Sequence, residues 1–261
     1  MKKVIFPIVL MLVALTTLSF TAGEGITLRL NPQKGKVYVI NSKSTQTTVM
    51  KVQDQSMRSN QTVEARQTFS AKEVSTNKNV FDTKIEAIKM VVSMMGMNLT
   101  YDSDHPENTS PIIADQAGEI NKILNKPTTL TYNKLGQNSN PNDLDMSQLS
   151  NVIIELPEEE VHVGSQWSYV KSQNISNYDV SVNMTYTVTG ISKKSVDVSF
   201  TGTINSRDVS GTYSGTASIN PQTGIVMSST IKNDISATIL EQDFVIPTTI
   251  TGTTTISVKE Q

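Results

Sequence analysis

From Val180 to Val188 every second residue is apolar. Val180, Val182, Met184, Tyr186 and Val188 share one side of an extended chain, and Ser181, Asn183, Thr185 and Thr187 share the other. Side chains of a β-strand point to opposite faces in turn, so a period of two marks antiparallel sheet with one dry and one wet face. Val196, Val198 and Phe200 repeat the pattern, as do Ile225, Met227, Ile231, Ile235 and Ile239. The wet positions are Thr and Ser rather than Lys and Glu, which suits extended backbone. Asn220-Pro221-Gln222-Thr223-Gly224 separates two of these runs as a turn. The expected fold is mainly β, with one or more long curved antiparallel sheets.

The first residues have a different character. Lys2 and Lys3 precede the apolar stretch Val4–Leu18, and Thr21-Ala22-Gly23 follows it. A positive start, a short apolar run and small residues form a secretory signal, too short to span a bilayer in the mature protein. Residues 1–23 are therefore read as a signal peptide, and the mature chain as an exported periplasmic or extracellular protein without a transmembrane segment. The chain has no cysteine. This rules out a lipobox anchor, disulfides, thiolate metal sites and thiol catalysis. Losing Lys2 and Lys3 reduces 22 basic residues to 20 against 24 acidic ones, a net charge of −4. Scattered weak negative charge is no footprint for nucleic acid. Several Asn-x-Ser/Thr triplets, among them Asn60, Asn98, Asn174 and Asn183, read as chance matches in a Ser/Thr-rich chain.

The rest divides into a first β half, 24–140, and a second, 141–261, continuous with it. The halves resemble each other. Pro32, Gly35 and Tyr38 open the first, and Pro157, Gly164 and Trp167 the second, with an aromatic residue three positions after each Gly. A strand pair around a polar turn follows in both: Phe69–Val74 and Val80–Ile88, then Tyr186–Ile191 and Ser195–Ile204. Such self-similarity is the mark of an internal duplication. Between the halves Ile112, Ile113, Gln116, Ile120, Ile123 and Leu124 fall at helical spacing after Ser110-Pro111 and before Pro127. Ser suits an N-cap and Pro a first helical turn, so an amphipathic helix is expected near 111–125, with Gly118 as its weak point. A shorter helical turn is expected at Leu144–Ile153, after the Asn- and Pro-rich loop Gly136–Asp143.

Candidate chemistry is sparse. Asp102, Asp104, His105 and Glu107 form an acidic loop, but it lacks the Gly of a calcium loop and a second ligand cluster. It reads as a solvated turn with acids near a helix start. Glu158-Glu159-Glu160 with His162 reads as a charged linker, because adjacent acids point alternately outward and not into one cleft. There is no Gly-x-Ser-x-Gly elbow and no phosphate-binding Gly loop. Gly211 and Gly215 share a face with Val209 and Tyr213, where small residues let something pack closely. Neither an enzyme nor a cofactor is expected.

The remaining feature is methionine. Met90, Met94, Met95 and Met97 fall in one strand region, Ile85–Tyr101, whose apolar register shifts between Met94 and Met95. Thioethers bind Cu(I), but no His or Cys stands by to complete a shell. Met also fills gaps in cores, and suits surfaces that accept varied apolar ligands. Met90, Val92, Met94 and Met97, with Ile112, Ile120 and Ile123 of the helix, are the expected lining of an apolar site, and no metal is expected there.

The order of Leu30-Asn31-Pro32, Gly35-Lys36-Val37-Tyr38, the Met-rich strand into Tyr101-Asp102-Ser103, the helix, Pro157 to Trp167, and Asn220–Gly224 resembles a family of exported bacterial proteins of unknown function. That resemblance implies no activity and no catalytic residues. A long curved sheet with a covering helix is also similar, at the level of fold alone, to the LolA-like lipoprotein-carrier half-barrels. The function expected is a non-enzymatic exported protein that binds an apolar small molecule or lipid on a concave sheet. The alternative is a structural or interaction module of the cell envelope whose sheets pack without a cavity. An apolar cavity of a few hundred Å³ separates the two.

Overall fold

The computed structural model describes residues 25–52, 55–139, 151–175, 178–241 and 244–261. The signal peptide expected at 1–23 lies outside the described residues, as does most of the helical turn expected at Leu144–Ile153. The period-two pattern becomes eleven strands: β1 (Val37–Val52), β2 (Gln55–Val74), β3 (Asn79–Met94), β4 (Met97–Asp102), β5 (Thr128–Tyr132), β6 (Gln166–Ile175), β7 (Tyr178–Ile191), β8 (Val196–Asn205), β9 (Val209–Ile219), β10 (Val226–Glu241) and β11 (Phe244–Glu260). Helix α1 (Ala114–Ile123) lies between β4 and β5.

All eleven strands form one open antiparallel sheet, in the order β4-β3-β2-β1-β11-β10-β9-β8-β7-β6, with β5 also on β3. Apart from β1–β11 and β3–β5, neighbours in the sheet are neighbours in sequence. The two meanders join where β1 meets β11, from Tyr38 opposite Glu260 to Met50 opposite Thr248.

The likeness of the halves is geometric. Gly35 and Gly164 both have positive φ, 80° and 92°, where a side chain is disfavoured. The Gly35 N–H donates to Ala71 O at 2.9 Å and the Gly164 N–H to Val188 O at 2.8 Å. The next residue donates back in both halves, Lys36 to Gln33 O and Ser165 to His162 O. Tyr38 then pairs with Phe69, and Trp167 with Tyr186. A bulge follows each partner at the same distance, between Ala71 and Glu73 and between Val188 and Gly190. The halves differ in exposure: Tyr38 is buried, whereas Trp167 is half-buried because β6 is an edge strand and β1 a central one.

The main core lies on the face bearing Tyr38, Phe69, Phe81, Tyr186 and Phe200. Leu28, Leu30, Val152, Ile153, Leu156 and Val161, from the segments before β1 and β6, cover one end of that face. Arg29 joins those segments, its guanidinium donating to the Pro157 and Glu158 carbonyls at 2.9 and 2.6 Å. Asn79 is fully buried and donates to Leu30 O at 2.9 Å, so its amide is satisfied within the core.

Two expectations are corrected. The Met-rich stretch is not one strand region with a shifted register. Met95 (φ 52°) and Gly96 (φ 79°) form a two-residue turn, and Met94 faces Met97 across the β3–β4 hairpin. The parity shift read from the sequence is the chain reversing. The helix is also shorter than 111–125, because Pro111–Ile113 is a 3-10 turn and the α-helix starts at Ala114. Ser110 Oγ accepts the Thr100 N–H at 2.9 Å and does not cap the helix. Asn125, at φ 58°, lies just past the helix end, where Asn tolerates the left-handed conformation.

Candidate ligand-binding site

Strand register carries one row of side chains across the core-bearing face. From β3 to β6 it runs Met90, Val63, Ser44, Thr254, Ile231, Gly215, Phe200, Tyr186 and Trp167, each directly opposite the next. The row is thioether at one end, hydroxylic at its centre, where Thr254 Oγ1 donates to Ser44 Oγ at 3.0 Å, and aromatic at the other end. The adjacent row places Tyr169, Met184, Gly202 and Tyr213 in line.

At the aromatic end lies a pocket of about 270 Å³, formed by Tyr169, Val182, Met184, Tyr186, Phe200, Tyr213, Ala217, Ser229 and Ile231 from β6 to β10, with Asn151 and Ile154 at its rim. Two glycines lie beneath its wall residues Phe200 and Met184. A Cβ on Gly215 would meet the Phe200 ring, at 2.5 Å from Cζ, and the Thr230 carbonyl; one on Gly202 would meet the Met184 sulfur. The glycines therefore let Phe200 and Met184 lie close against the sheet. Glycine weakens a strand interior, so two of them beneath large side chains mark a surface shaped for close approach.

The aromatic wall is ordered. Tyr186 stacks on Trp167, with ring centres 5.1 Å apart, and on Tyr169 at 6.1 Å, while Phe200 tilts against it at 5.5 Å. Trp167 Nε1 donates to Glu155 O at 2.9 Å, which ties the stack to the covering segment. Tyr169 and Tyr186 are stacked neighbours, close enough for each hydroxyl to affect the other's titration. Burial, and then the neighbouring tyrosine and Glu155, push the Tyr186 hydroxyl far above its ordinary value; burial also raises Tyr169 and Tyr213. These hydroxyls stay neutral and serve only as hydrogen-bond groups.

The residues expected from sequence as ligand-lining lie elsewhere, on β3, β4 and the helical segment between β4 and β5. Met90 and Ile120 pack with Tyr101, Ile113 and Ala117 in a small cluster where α1 covers β3 and β4. Val92, Met94 and Ile123 are half-buried, whereas Met97 and Ile112 are 49% and 69% exposed. None of the seven lines the aromatic pocket. The aromatic residues are visible in the sequence as a dry strand face. What marks them as a site is Phe200 opposite Gly215 and Tyr213 opposite Gly202, which appears only once the register is known.

The acidic loop is a built turn. Asp102 is buried; its Oδ1 accepts the N–H groups of Asp104 and His105 at 3.2 Å, and its Oδ2 lies 3.1 Å from Lys89 Nζ. Burial acts to raise its pKa, but Lys89 and the two N–H groups outweigh that and hold the carboxyl below its ordinary value. Among the described residues no three His, Cys, Asp or Glu converge on a point that could hold a metal ion, and no helix is long and apolar enough to cross a membrane.

Residues 137–226, which supply most of the pocket, match the model of a family of unknown function, DUF6263. That is the kind of family the sequence resembles. No curated protein matches the chain. The translocator domain of the autotransporter NalP from Neisseria meningitidis is similar at 9% identity and a TM-score of 0.34, over 86% of this chain and 90% of that one. A DUF1329 family protein from Desulfovibrio piger is similar at 6% identity and a TM-score of 0.13, over 84% of this chain and 83% of that one. Both likenesses are too slight to carry an argument about function.

Proposed function

We propose that the chain is an exported, non-catalytic binding protein that holds an apolar small molecule or lipid in the pocket between β6 and β10. The supporting observation is the aromatic-walled pocket of about 270 Å³, in which Phe200 and Met184 lie close over Gly215 and Gly202. Ligand sites are concave, mostly apolar and furnished with a few oriented polar groups, here the Tyr169 and Ser229 hydroxyls. Export rests on the Lys2–Gly23 pattern. The test is native mass spectrometry of protein purified from its own membrane fraction without detergent. A mature chain starting near Glu24 with an apolar adduct is the expected result. A ligand-free chain that also fails to take up apolar dyes would refute the binding reading, and an intact Met1–Thr21 on the mature protein the export reading.

A further inference from the structure

We infer that the ligand of this pocket is a compact, uncharged, ring-bearing molecule of one or two fused rings, and not an extended acyl chain. The inference rests on the binding reading above and concerns the same site. An apolar cavity of about 150 Å³ takes one benzene, so 270 Å³ suits a bicyclic ring and is short for a long chain. The walls favour rings as well. Tyr186, Phe200, Tyr213 and Tyr169 present faces and edges at several inclinations, so a planar guest meets offset or edge-on partners. Met184 adds a polarizable sulfur beside them.

Charge selects against an anionic head group. Among the described residues no Lys or Arg lines the pocket, and the Glu155 carboxylate is close enough to raise the Tyr169 and Tyr186 hydroxyls. A fatty-acid carboxylate would find repulsion from Glu155 and no cation among the described lining residues. A neutral hydroxyl or carbonyl fits better: the Tyr169 and Tyr186 hydroxyls line the pocket, and a neutral phenol carries one proton to donate and lone pairs to accept with.

The experiment is calorimetric titration of the mature protein with 2-naphthol and, separately, with hexadecanoate, repeated on Ile231→Phe and Tyr169→Phe. Ile231→Phe extends a side chain into the cavity; Tyr169→Phe keeps the ring and removes the hydroxyl. Urea unfolding of each variant identifies loss of fold. The expected result is one naphthol per chain, bound at least tenfold tighter than hexadecanoate. Binding should weaken at least tenfold in folded Ile231→Phe and about fivefold in Tyr169→Phe, the worth of one hydrogen bond. Tighter hexadecanoate binding that the same variants abolish would overturn the ring inference and leave the apolar-ligand reading standing. Failure of both ligands to bind, or binding that neither variant alters, would defeat both.

Discussion

The indole of Trp167 lies flat on the ring of Tyr186, with ring centres 5.1 Å apart and planes 12° from parallel. Tyr38 lies on Phe69 in the same way, at 4.8 Å and 14°. In the first half the stack continues through Phe81 to Tyr132 and is enclosed by Leu28, Leu30 and Leu130. In the second half it continues through Phe200 and borders the pocket. One repeated device is thus core in one half and cavity wall in the other.

Trp167→Ala removes a half-buried stack on the edge strand and a 2.9 Å hydrogen bond to Glu155 O. A buried Trp→Ala change costs about 3–5 kcal/mol, and the exposed side of this ring brings the expected loss to about 2–3 kcal/mol. Trp167→Phe keeps the stack and loses only the donor, for about 1 kcal/mol. Urea unfolding followed by circular dichroism ranks the two; equal losses would show that the stack contributes nothing.

Gly215→Ala should destabilise by about 1–3 kcal/mol, because its methyl meets the Phe200 ring and the Thr230 carbonyl. Gly190→Ala is the comparison: its nearest foreign atom is Asp197 Oδ2 at 3.6 Å, so it should be close to neutral. Thermal unfolding midpoints of the two variants should separate clearly.

Gly35 and Gly164 occupy equivalent left-handed positions with nothing within 4 Å of a built Cβ. Their alanine variants therefore feel backbone strain alone, about 1–2 kcal/mol each. Matching losses would support the structural repeat, and a neutral Gly164→Ala would contradict it.

Asp102 contributes stability through its depressed pKa. For a carboxyl held below its unfolded value, about 3.9, the contribution is complete above that value and disappears as pH falls through the folded one. Asp102→Asn should therefore be less stable than the parent at pH 7, and the gap should narrow on acidification below about pH 4. A gap that stays constant over that range would show that the ionised carboxylate is not what anchors the loop.

Tyr38 is buried, and its hydroxyl faces the Gln33 backbone without well-formed hydrogen-bond geometry. Removing a buried hydroxyl that lacks a good partner has little cost, so Tyr38→Phe should fall within about 1 kcal/mol of the parent or above it. A loss of several kcal/mol in denaturant titration would show that the hydroxyl is satisfied.

Sequence alone determined the strands, because alternation such as Val180 to Val188 is a local property of extended backbone and survives without knowledge of its neighbours. The paired Gly-to-aromatic openings at Gly35–Tyr38 and Gly164–Trp167 were legible for the same reason. The Met95-Gly96 turn is masked in the sequence, because Gly96 stands inside a Met-rich apolar run that reads as continuous strand. Tertiary structure decided what depends on register: that β1 closes against β11 into one sheet, and that Phe200 lies opposite Gly215. Strands far apart in sequence set those pairings through their combined burial. A pocket made by the absence of a side chain opposite a large one appears only after they are fixed.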